Sequence, residues 1–188
     1  MPNICEYEMK IKGKNRKNVE EFIEILKADY TNPHHFYRVY DADVSQPIAE
    51  NEDEFAAIVI GTCAWSVECC MFFNDYRLKD GKTGSDIQSE TRRLNLTVEI
   101  FSKGTGRGFM EHYIVDEGNI ITDETVDYFT YWYDDSEWDS IEDFNKENGT
   151  HFTKGDFDEN GDAHIGGMEW RYMIWVKLFM RLKKSLLE

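Results

Sequence analysis

The chain has 188 residues and a formal net charge of -16, with 37 acidic against 21 basic side chains. Hydrophobic residues make up 41% of it, including 12 Phe, 10 Tyr and 5 Trp, which supplies a packed core and excludes extended disorder. No apolar run approaches the roughly 20 residues that span a bilayer, and the N-terminal residues contain no signal-peptide segment. We therefore expect a cytoplasmic protein outside the membrane, built as one domain with an extension or as two small domains.

The negative charge is concentrated in residues 111–162, which we call the acidic block. This segment carries 17 acidic residues against Lys146 and Lys154, a local balance of -15, whereas the first 110 residues are nearly neutral and the last 18 are basic. Nucleic-acid binding through the block is excluded because phosphates would be repelled. A basic protein or a divalent cation could bind there.

Three strands and one helix are predicted over the first 63 residues of the chain. Residues 4–12 alternate between apolar and polar side chains, as a half-buried strand does, and Asn18 is expected to cap a helix that ends near Asp29. A second strand is predicted over residues 36–44. The continuous apolar run over residues 55–63 predicts a central strand that is covered on both faces.

Two further helices are predicted before the next strand. A short helix over residues 64–73 is expected to bury three side chains: Trp65, Cys69 and Phe72. Ser85 or Asp86 is expected to cap the following helix, which carries Ile87 and Leu94 on its apolar face. The four cysteines form no Cys-x-x-Cys pair, so we expect reduced thiols: Cys5, Cys63, Cys69 and Cys70.

Residues 96–123 have the pattern of an antiparallel meander. Alternating strands surround a glycine-rich turn at residues 104–108 and a second turn at Gly118 and Asn119. We expect this meander to form the sheet wall against which the other elements pack. The whole order is β-α-β-β-α-β, so the predicted fold is α+β, a ferredoxin-like antiparallel sheet extended by an extra β-meander and a C-terminal extension.

Three segments, MPNICEYEMKIKGKNRKNVEEFIEILKADY, GTCAWSVECCMF and LNLTVEIFSKGTGRGFMEHYIVDEG, resemble the YubB-type ferredoxin-like family. These are small proteins of plasmids, phages and related mobile elements. The resemblance covers about residues 1–130 and implies the fold and a mobile-element origin, but no catalytic residues. The family usually has a Glu-Pro-Gly turn before its Gly-Phe pair, where residues 103–108 of this chain read KGTGRG.

Beyond residue 123 the chain becomes acidic and aromatic. Residues 126–133 predict a strand with aromatic side chains on both faces, and Ser140 is expected to cap a helix that Gly149 ends. A strand over residues 168–176 and a terminal helix from Lys177 complete the prediction. The predicted domains are therefore 1–134, ferredoxin-like with an added hairpin, and 135–188, an acidic and basic extension packed on it.

One segment resembles the first half of a calcium-binding EF-hand loop. Its candidate ligands are Asp156, Asp158, Asn160 and Asp162. The twelfth loop position, which should be a bidentate glutamate, is Gly167. A solvated Asn-Gly turn is therefore favoured over a weak Ca²⁺ site, and no other cofactor is expected.

The sequence carries no catalytic signature. The glycines at residues 104–108 are followed by a strand beginning at Phe109, whereas a phosphate-binding loop needs a helix there. His112 cannot share a strand face with its neighbour Glu111. A cluster of His112 with acidic residues of neighbouring strands is the alternative, and the candidates are Asp123, Glu124 and Asp127.

We therefore predict a non-enzymatic interaction protein, of inhibitor or DNA-mimic type, whose acidic block docks a basic, nucleic-acid-binding host protein. Carboxylates along a surface imitate DNA phosphates, and aromatic anchors supply binding energy. The predicted partner-binding residues are Tyr131, Trp132, Asp134, Asp135, Glu137, Trp138 and Asp139. Two alternatives stay open: a solubilising surface without a partner, and a metal-dependent nuclease or RNA-processing enzyme using clustered carboxylates. Convergence of three or four carboxylates in a cleft would favour the enzyme.

Overall fold

The computed structural model describes residues 3–51, 54–73, 84–104, 108–134, 137–159 and 161–166. The chain divides into two compact units, residues 1–125 and residues 126–188, which we call unit 1 and unit 2. The sequence places the domain boundary after residue 134, and that assignment stays a prediction.

Unit 1 is an α+β structure in which helices are interspersed along the chain with the strands of one antiparallel sheet. Its elements are β1 (Ile4–Gly13), α1 (Arg16–Lys27), β2 (Val39–Asn51), β3 (Glu54–Ala64), α2 (Val67–Met71), α3 (Ile87–Leu94), β4 (Leu96–Gly104), β5 (Phe109–Asp116) and β6 (Asn119–Trp132), the last of which continues into unit 2. The strand order is β2-β3-β1-β4-β5-β6. The predicted α+β class is confirmed.

The centre of the sheet is β1, which pairs with β3 on one side and with β4 on the other, antiparallel in both cases. Its alternating residues Cys5, Tyr7, Met9 and Ile11 are all buried, because they face the core that the helices cover. The meander over β4, β5 and β6 therefore forms one half of the sheet, and the expectation that it is the wall for the whole fold is wrong.

Strand β3 is an interior strand, as its apolar run predicts. Phe22 and Leu26 of α1 belong to the same core cluster as Val59. The opposite face is not fully covered, since Ile60 is 40% exposed, so the prediction of burial on both faces is wrong. An uninterrupted apolar run cannot distinguish a strand covered twice from one whose second face is only partly shielded.

The start of α1 and the start of β2 differ from the prediction. Asn15 caps α1 and accepts a hydrogen bond from the Lys17 N–H at 3.0 Å, whereas the Asn18 side chain donates to the Leu94 carbonyl at 2.6 Å. Strand β2 begins at Val39 rather than at residue 36, because Arg38 has a φ of +51° and interrupts the extended backbone.

The two remaining helices of unit 1 begin at side-chain caps. Ser66 caps α2, which buries Val67, Cys70 and Met71. Phe72 is buried as predicted, whereas Trp65 and Cys69 are only half-buried. Asp86 caps α3, and both Ile87 and Leu94 are buried as predicted. All four cysteines are free thiols.

Unit 2 is organised by the second half of β6 and the elements that follow it. Strand β7 (Asp162–Gly166) pairs antiparallel with β6, and helix α4 (Ile141–Asn148) begins at its predicted cap, Ser140, and ends at Gly149 with φ +68°. A 3₁₀ turn, Lys154–Asp156, lies between them. The sequence did not predict β7, and the strand and helix predicted after residue 167 lie outside the described residues.

The core of unit 2 is a small aromatic cluster. Phe144, Phe152 and Ala163 are buried at its centre. The rings that pack around them belong to Tyr131, Tyr133, Trp138 and Phe157. Most of these rings meet edge to face, for example Tyr133 and Phe144 with centroids 5.5 Å apart and planes at 88°, a geometry that aromatic pairs favour.

Candidate protein-binding surface

The surface of unit 2 is acidic and is not neutralised by the lysines that the structure describes. Exposed carboxylates lie on the loop before α4, on α4 and near β7; they include Glu137, Asp139, Glu142, Glu147 and Glu159. Every ion pair between two described residues lies in unit 1. The charges of these described carboxylates attract a basic ligand.

The predicted partner-binding aromatics have different environments. Trp132 is 50% exposed on β6, as an anchor residue should be. Trp138 is half-buried and packs edge-on against Phe144, with ring centroids 5.2 Å apart and planes at 84°. Tyr131 is also half-buried, 5.4 Å from the ring of Phe152. Trp138 therefore holds the aromatic cluster together, and Trp132 is the better candidate for an interface anchor.

The predicted acidic partner-binding residues differ in accessibility. Glu137 and Asp139 are exposed, whereas Asp134 is half-buried and its carbonyl accepts hydrogen bonds from the N–H groups of Glu137 and Trp138 at 3.0 and 3.2 Å. Asp134 thus begins the turn that presents the other two. Asp135 lies outside the described residues.

A cleft of about 520 Å³ opens on unit 2 beside the start of α4. Its lining residues include the aromatic Tyr133 and Phe152, the acidic Asp139 and Glu142, and Lys154. Aromatic faces and carboxylates are the groups that bind a lysine or arginine side chain. The cleft therefore suits a basic side chain of a partner.

The loop that resembles a calcium site is held by its own hydrogen bonds. Asp156 Oδ2 accepts from the Thr153 N–H and hydroxyl, both at 2.7 Å, and these bonds lower the pKa of the Asp156 carboxyl. Asp158 Oδ1 accepts from the Asp162 N–H at 3.0 Å. Asn160 lies outside the described residues, and those that are described contain no group of three potential metal ligands.

We expect the loop at Asp156 to bind Ca²⁺ no more tightly than about millimolar, because the bidentate ligand at the twelfth position is missing. Isothermal titration of the whole chain with CaCl₂ measures this. Micromolar binding that the Asp156→Ala substitution abolishes would contradict the expectation.

His112 lies on β5 between two carboxylates on neighbouring strands. Its Nε2 is 3.1 Å from Glu99 Oε1 and its Nδ1 is 3.6 Å from Glu124 Oε2. The ring stacks on Phe101 with centroids 4.2 Å apart and planes at 4°. The sequence named Glu124 among the possible neighbours and missed Glu99, which only the β4–β5 register brings close.

Glu111 points to the other face of β5 and belongs to the core of unit 1, not to the acidic surface. It is 2% exposed, and its carboxylate accepts hydrogen bonds from the Val67 N–H at 2.9 Å, the Glu68 N–H at 3.3 Å and the Ser102 hydroxyl at 2.5 Å. Burial raises the pKa of Glu111, although these hydrogen bonds act in the opposite direction. Glu111 therefore satisfies the first amides of α2, a structural role.

A second buried carboxylate, Glu90 on α3, ties together three segments of unit 1. Its Oε2 lies 2.7 Å from Arg93, which also pairs with Glu21 of α1 at 2.6 Å. Its Oε1 lies 2.8 Å from His34 Nδ1 and accepts from the Ser85 hydroxyl. Burial alone would raise the pKa of Glu90, but its hydrogen bonds and the charge of Arg93 together lower it.

We expect Glu90→Gln to reduce the free energy of unfolding by about 2 kcal/mol, because a buried, hydrogen-bonded charge pair loses one partner. Because the pKa of Glu90 is lowered in the folded protein, its carboxylate stabilises the fold at pH values above the ordinary pKa near 4.5. This stabilisation is lost as the pH falls through the folded-state pKa. Urea unfolding of both proteins between pH 3 and pH 7 measures this. A difference between them that grows on acidification would contradict the assignment.

No family model, curated protein or solved structure matches this chain. The resemblance to the YubB-type family therefore depends on the sequence motifs and stays a prediction. No helix among the described residues is long and apolar enough to cross a membrane.

Proposed function

We propose that this chain is a non-enzymatic interaction protein whose acidic unit 2 docks a basic, nucleic-acid-binding host protein. The observation that carries the proposal is Trp132, which is 50% exposed on a unit that also presents the exposed carboxylates of Glu137, Asp139, Glu142 and Glu147. Interfaces of this kind combine a field that accelerates encounter with a few aromatic anchors that slow dissociation.

The ferredoxin-like arrangement and the mobile-element origin belong to the same proposal. The order β2-β3-β1-β4, with antiparallel pairing throughout, supports the ferredoxin-like assignment. The origin is supported by the YubB-type motifs alone. In this view unit 1 is the scaffold, and unit 2 carries the binding surface.

The cleft beside α4 gives the interface a point of specificity. A lysine or arginine of the partner would place its charge near Asp139 and Glu142 and its aliphatic stem against Tyr133 and Phe152. A solubilising surface requires acidity but has no need of an exposed tryptophan or such a cleft. No observation in the described residues favours the metal-dependent enzyme, which needs converging ligands.

The proposal is tested first by finding a partner and then by measuring its dissociation. The immobilised chain should capture a basic protein from host lysate at low salt and release it at high salt. With that protein purified, Trp132→Ala should raise the off-rate about tenfold or more, because interface tryptophans typically contribute more than 1 kcal/mol.

The matched control is Ile121→Ala, which removes another exposed apolar side chain of β6 that is 63% exposed but lies in unit 1. This variant should dissociate at the wild-type rate. If both variants behave alike, or if Trp132→Ala dissociates as slowly as the wild type, Trp132 is not an anchor and the proposed surface is wrong.

A further inference from the structure

A different feature of unit 1 is the environment of Arg38, at the end of the sheet where β2 begins and β3 ends. The Arg38 guanidinium carbon lies 4.6 Å from the ring centroid of Trp65 and 5.4 Å from that of Tyr37. Arg38 is exposed, whereas Tyr37 is buried and Trp65 is half-buried against the core. The guanidinium therefore lies over a rigid aromatic base at the protein surface.

The backbone holds this stack in an uncommon conformation. Arg38 has a φ of +51° and Trp65 a φ of +64°, in the left-handed region that bulky residues rarely adopt. Both residues are fixed by backbone hydrogen bonds, from the Ala64 N–H to the Arg38 carbonyl at 3.1 Å and from the Trp65 N–H to the Asn3 carbonyl at 2.7 Å. Such conformations persist where the surrounding structure imposes them, and they are concentrated at binding sites.

The guanidinium of Arg38 also differs from those of the other described arginines. Arg16 pairs with Glu20, Arg92 donates to the Gly118 carbonyl, and Arg93 pairs with Glu21 and Glu90. For Arg38 the described residues provide ring contacts but no carboxylate and no hydrogen-bond acceptor. In a chain with 37 acidic residues, a fixed and exposed arginine without such a partner among the described residues can bind an external one.

Apolar surface lies beside this arginine. Tyr40 is 50% exposed at a break in the β2–β3 register between Val39 and Asp41, where a bulge re-aims side chains. Ile4, which is 45% exposed, pairs in register with Ala64 next to Trp65. Tryptophan, tyrosine and arginine are the residue types that dominate interface energies.

We propose that Arg38, stacked on Trp65 and Tyr37, binds a carboxylate of an acidic peptide segment in a partner protein, with Tyr40 contacting an adjacent apolar side chain. The planar guanidinium presents two parallel N–H groups, which match the two oxygens of a carboxylate. Stacking fixes its orientation in advance, so little freedom is lost on binding. A nucleic acid is disfavoured because a chain of net charge -16 repels every phosphate of an extended polyanion, whereas a short peptide presents only one or two carboxylates.

The test is a titration followed through the Nε–H resonance of Arg38 by NMR, using a capped peptide that contains two glutamates flanked by leucines. The matched probe is the same peptide with glutamines, and inorganic phosphate is a third. We expect saturable shifts with the glutamate peptide alone, and at least tenfold weaker binding by Arg38→Gln in calorimetry. Arg38→Lys, which keeps the charge but not the planar fork, should bind with intermediate affinity.

The control variant is Arg16→Gln, which removes one exposed positive charge of α1 and should bind the peptide as the wild type does. Equal losses in the Arg16 and Arg38 variants would indicate diffuse attraction and overturn the proposal. Saturation by phosphate alone, or equal shifts with the glutamine peptide, would overturn it as well. Self-association that Arg38→Gln abolishes would assign the site to a second copy of this chain instead of a partner peptide.

Discussion

Replacing Glu111 with leucine should lower the free energy of unfolding by about 3 kcal/mol or more. The substitution leaves two buried donors without an acceptor, the Val67 N–H and the Ser102 hydroxyl, together with the partly buried Glu68 N–H, and each unsatisfied buried group costs about 1–3 kcal/mol. Urea unfolding followed by circular dichroism measures the change. Glu6→Leu is the control, because Glu6 is an exposed strand residue and its replacement should change stability by less than about 1 kcal/mol.

The pH dependence of stability tests whether burial or hydrogen bonding has the larger effect on the pKa of Glu111. Because burial raises its pKa in the folded protein, the folded state binds the proton more tightly than the unfolded state. The stability that Glu111 contributes is therefore fully present at pH values below its ordinary pKa near 4.5, and it declines as the pH rises through the folded-state pKa. The stability of the wild type relative to Glu111→Gln should thus fall with rising pH. A rise would contradict the assignment.

Gly61→Ala should be nearly as damaging, with a loss of about 2–3 kcal/mol, because the new Cβ has no space. A Cβ at this position would lie 2.2 Å from the Asp41 carbonyl oxygen and 2.5 Å from the Tyr7 hydroxyl oxygen. Tyr7 crosses the glycine to donate a hydrogen bond to that same carbonyl at 3.0 Å. The substitution therefore separates β2 from β3 or expels the Tyr7 ring.

The matched control is Gly155→Ala, since a Cβ at Gly155 would approach nothing closer than the Thr153 hydroxyl oxygen at 3.8 Å. Thermal unfolding of both variants measures the difference. Equal melting temperatures for the Gly61 and Gly155 variants would show that β2, β3 and Tyr7 can accommodate a Cβ at Gly61, and would contradict the prediction.

The elements that could be predicted from the sequence are those whose signals are local. The apolar run of β3 determines an interior strand by itself. Ser140 and Gly149 satisfy the two ends of α4 with groups only a few residues away, and the turn before β6 depends on Gly118, whose φ is +85°. Each of these features needs information from a single segment, so composition and spacing were sufficient.

The rest depends on contacts between distant residues. Glu111 is counted among the acidic residues in the sequence, and only the pairing of β4 with β5 places it beside Ser102 and under α2. Strand β7 is short and glycine-flanked, so its identity comes from its partner β6 and not from its own pattern. Register and packing are properties of two segments together, which a single-sequence pattern does not contain.

The same limit applies to the candidate binding surface. The sequence grouped the acidic residues but could not rank the two tryptophans, since the exposure of Trp132 and the packing of Trp138 on Phe144 depend on contacts between separate segments. The environment of Arg38 had no signal in the sequence at all, because it is created by two positive φ angles and a stacking contact.

The most direct test of the docking proposal is the association rate with the captured basic partner, measured by stopped flow from about 0.02 to 0.5 M salt. The wild-type on-rate should fall tenfold or more over this range, and converting Glu137, Asp139, Glu147 and Glu159 to amides should remove most of that dependence. A control with four neutralised carboxylates of unit 1, at Glu6, Glu24, Asp43 and Glu54, should keep the steep response. Equal flattening in both variants, or a wild-type on-rate that salt does not change, would contradict an acidic docking surface on unit 2.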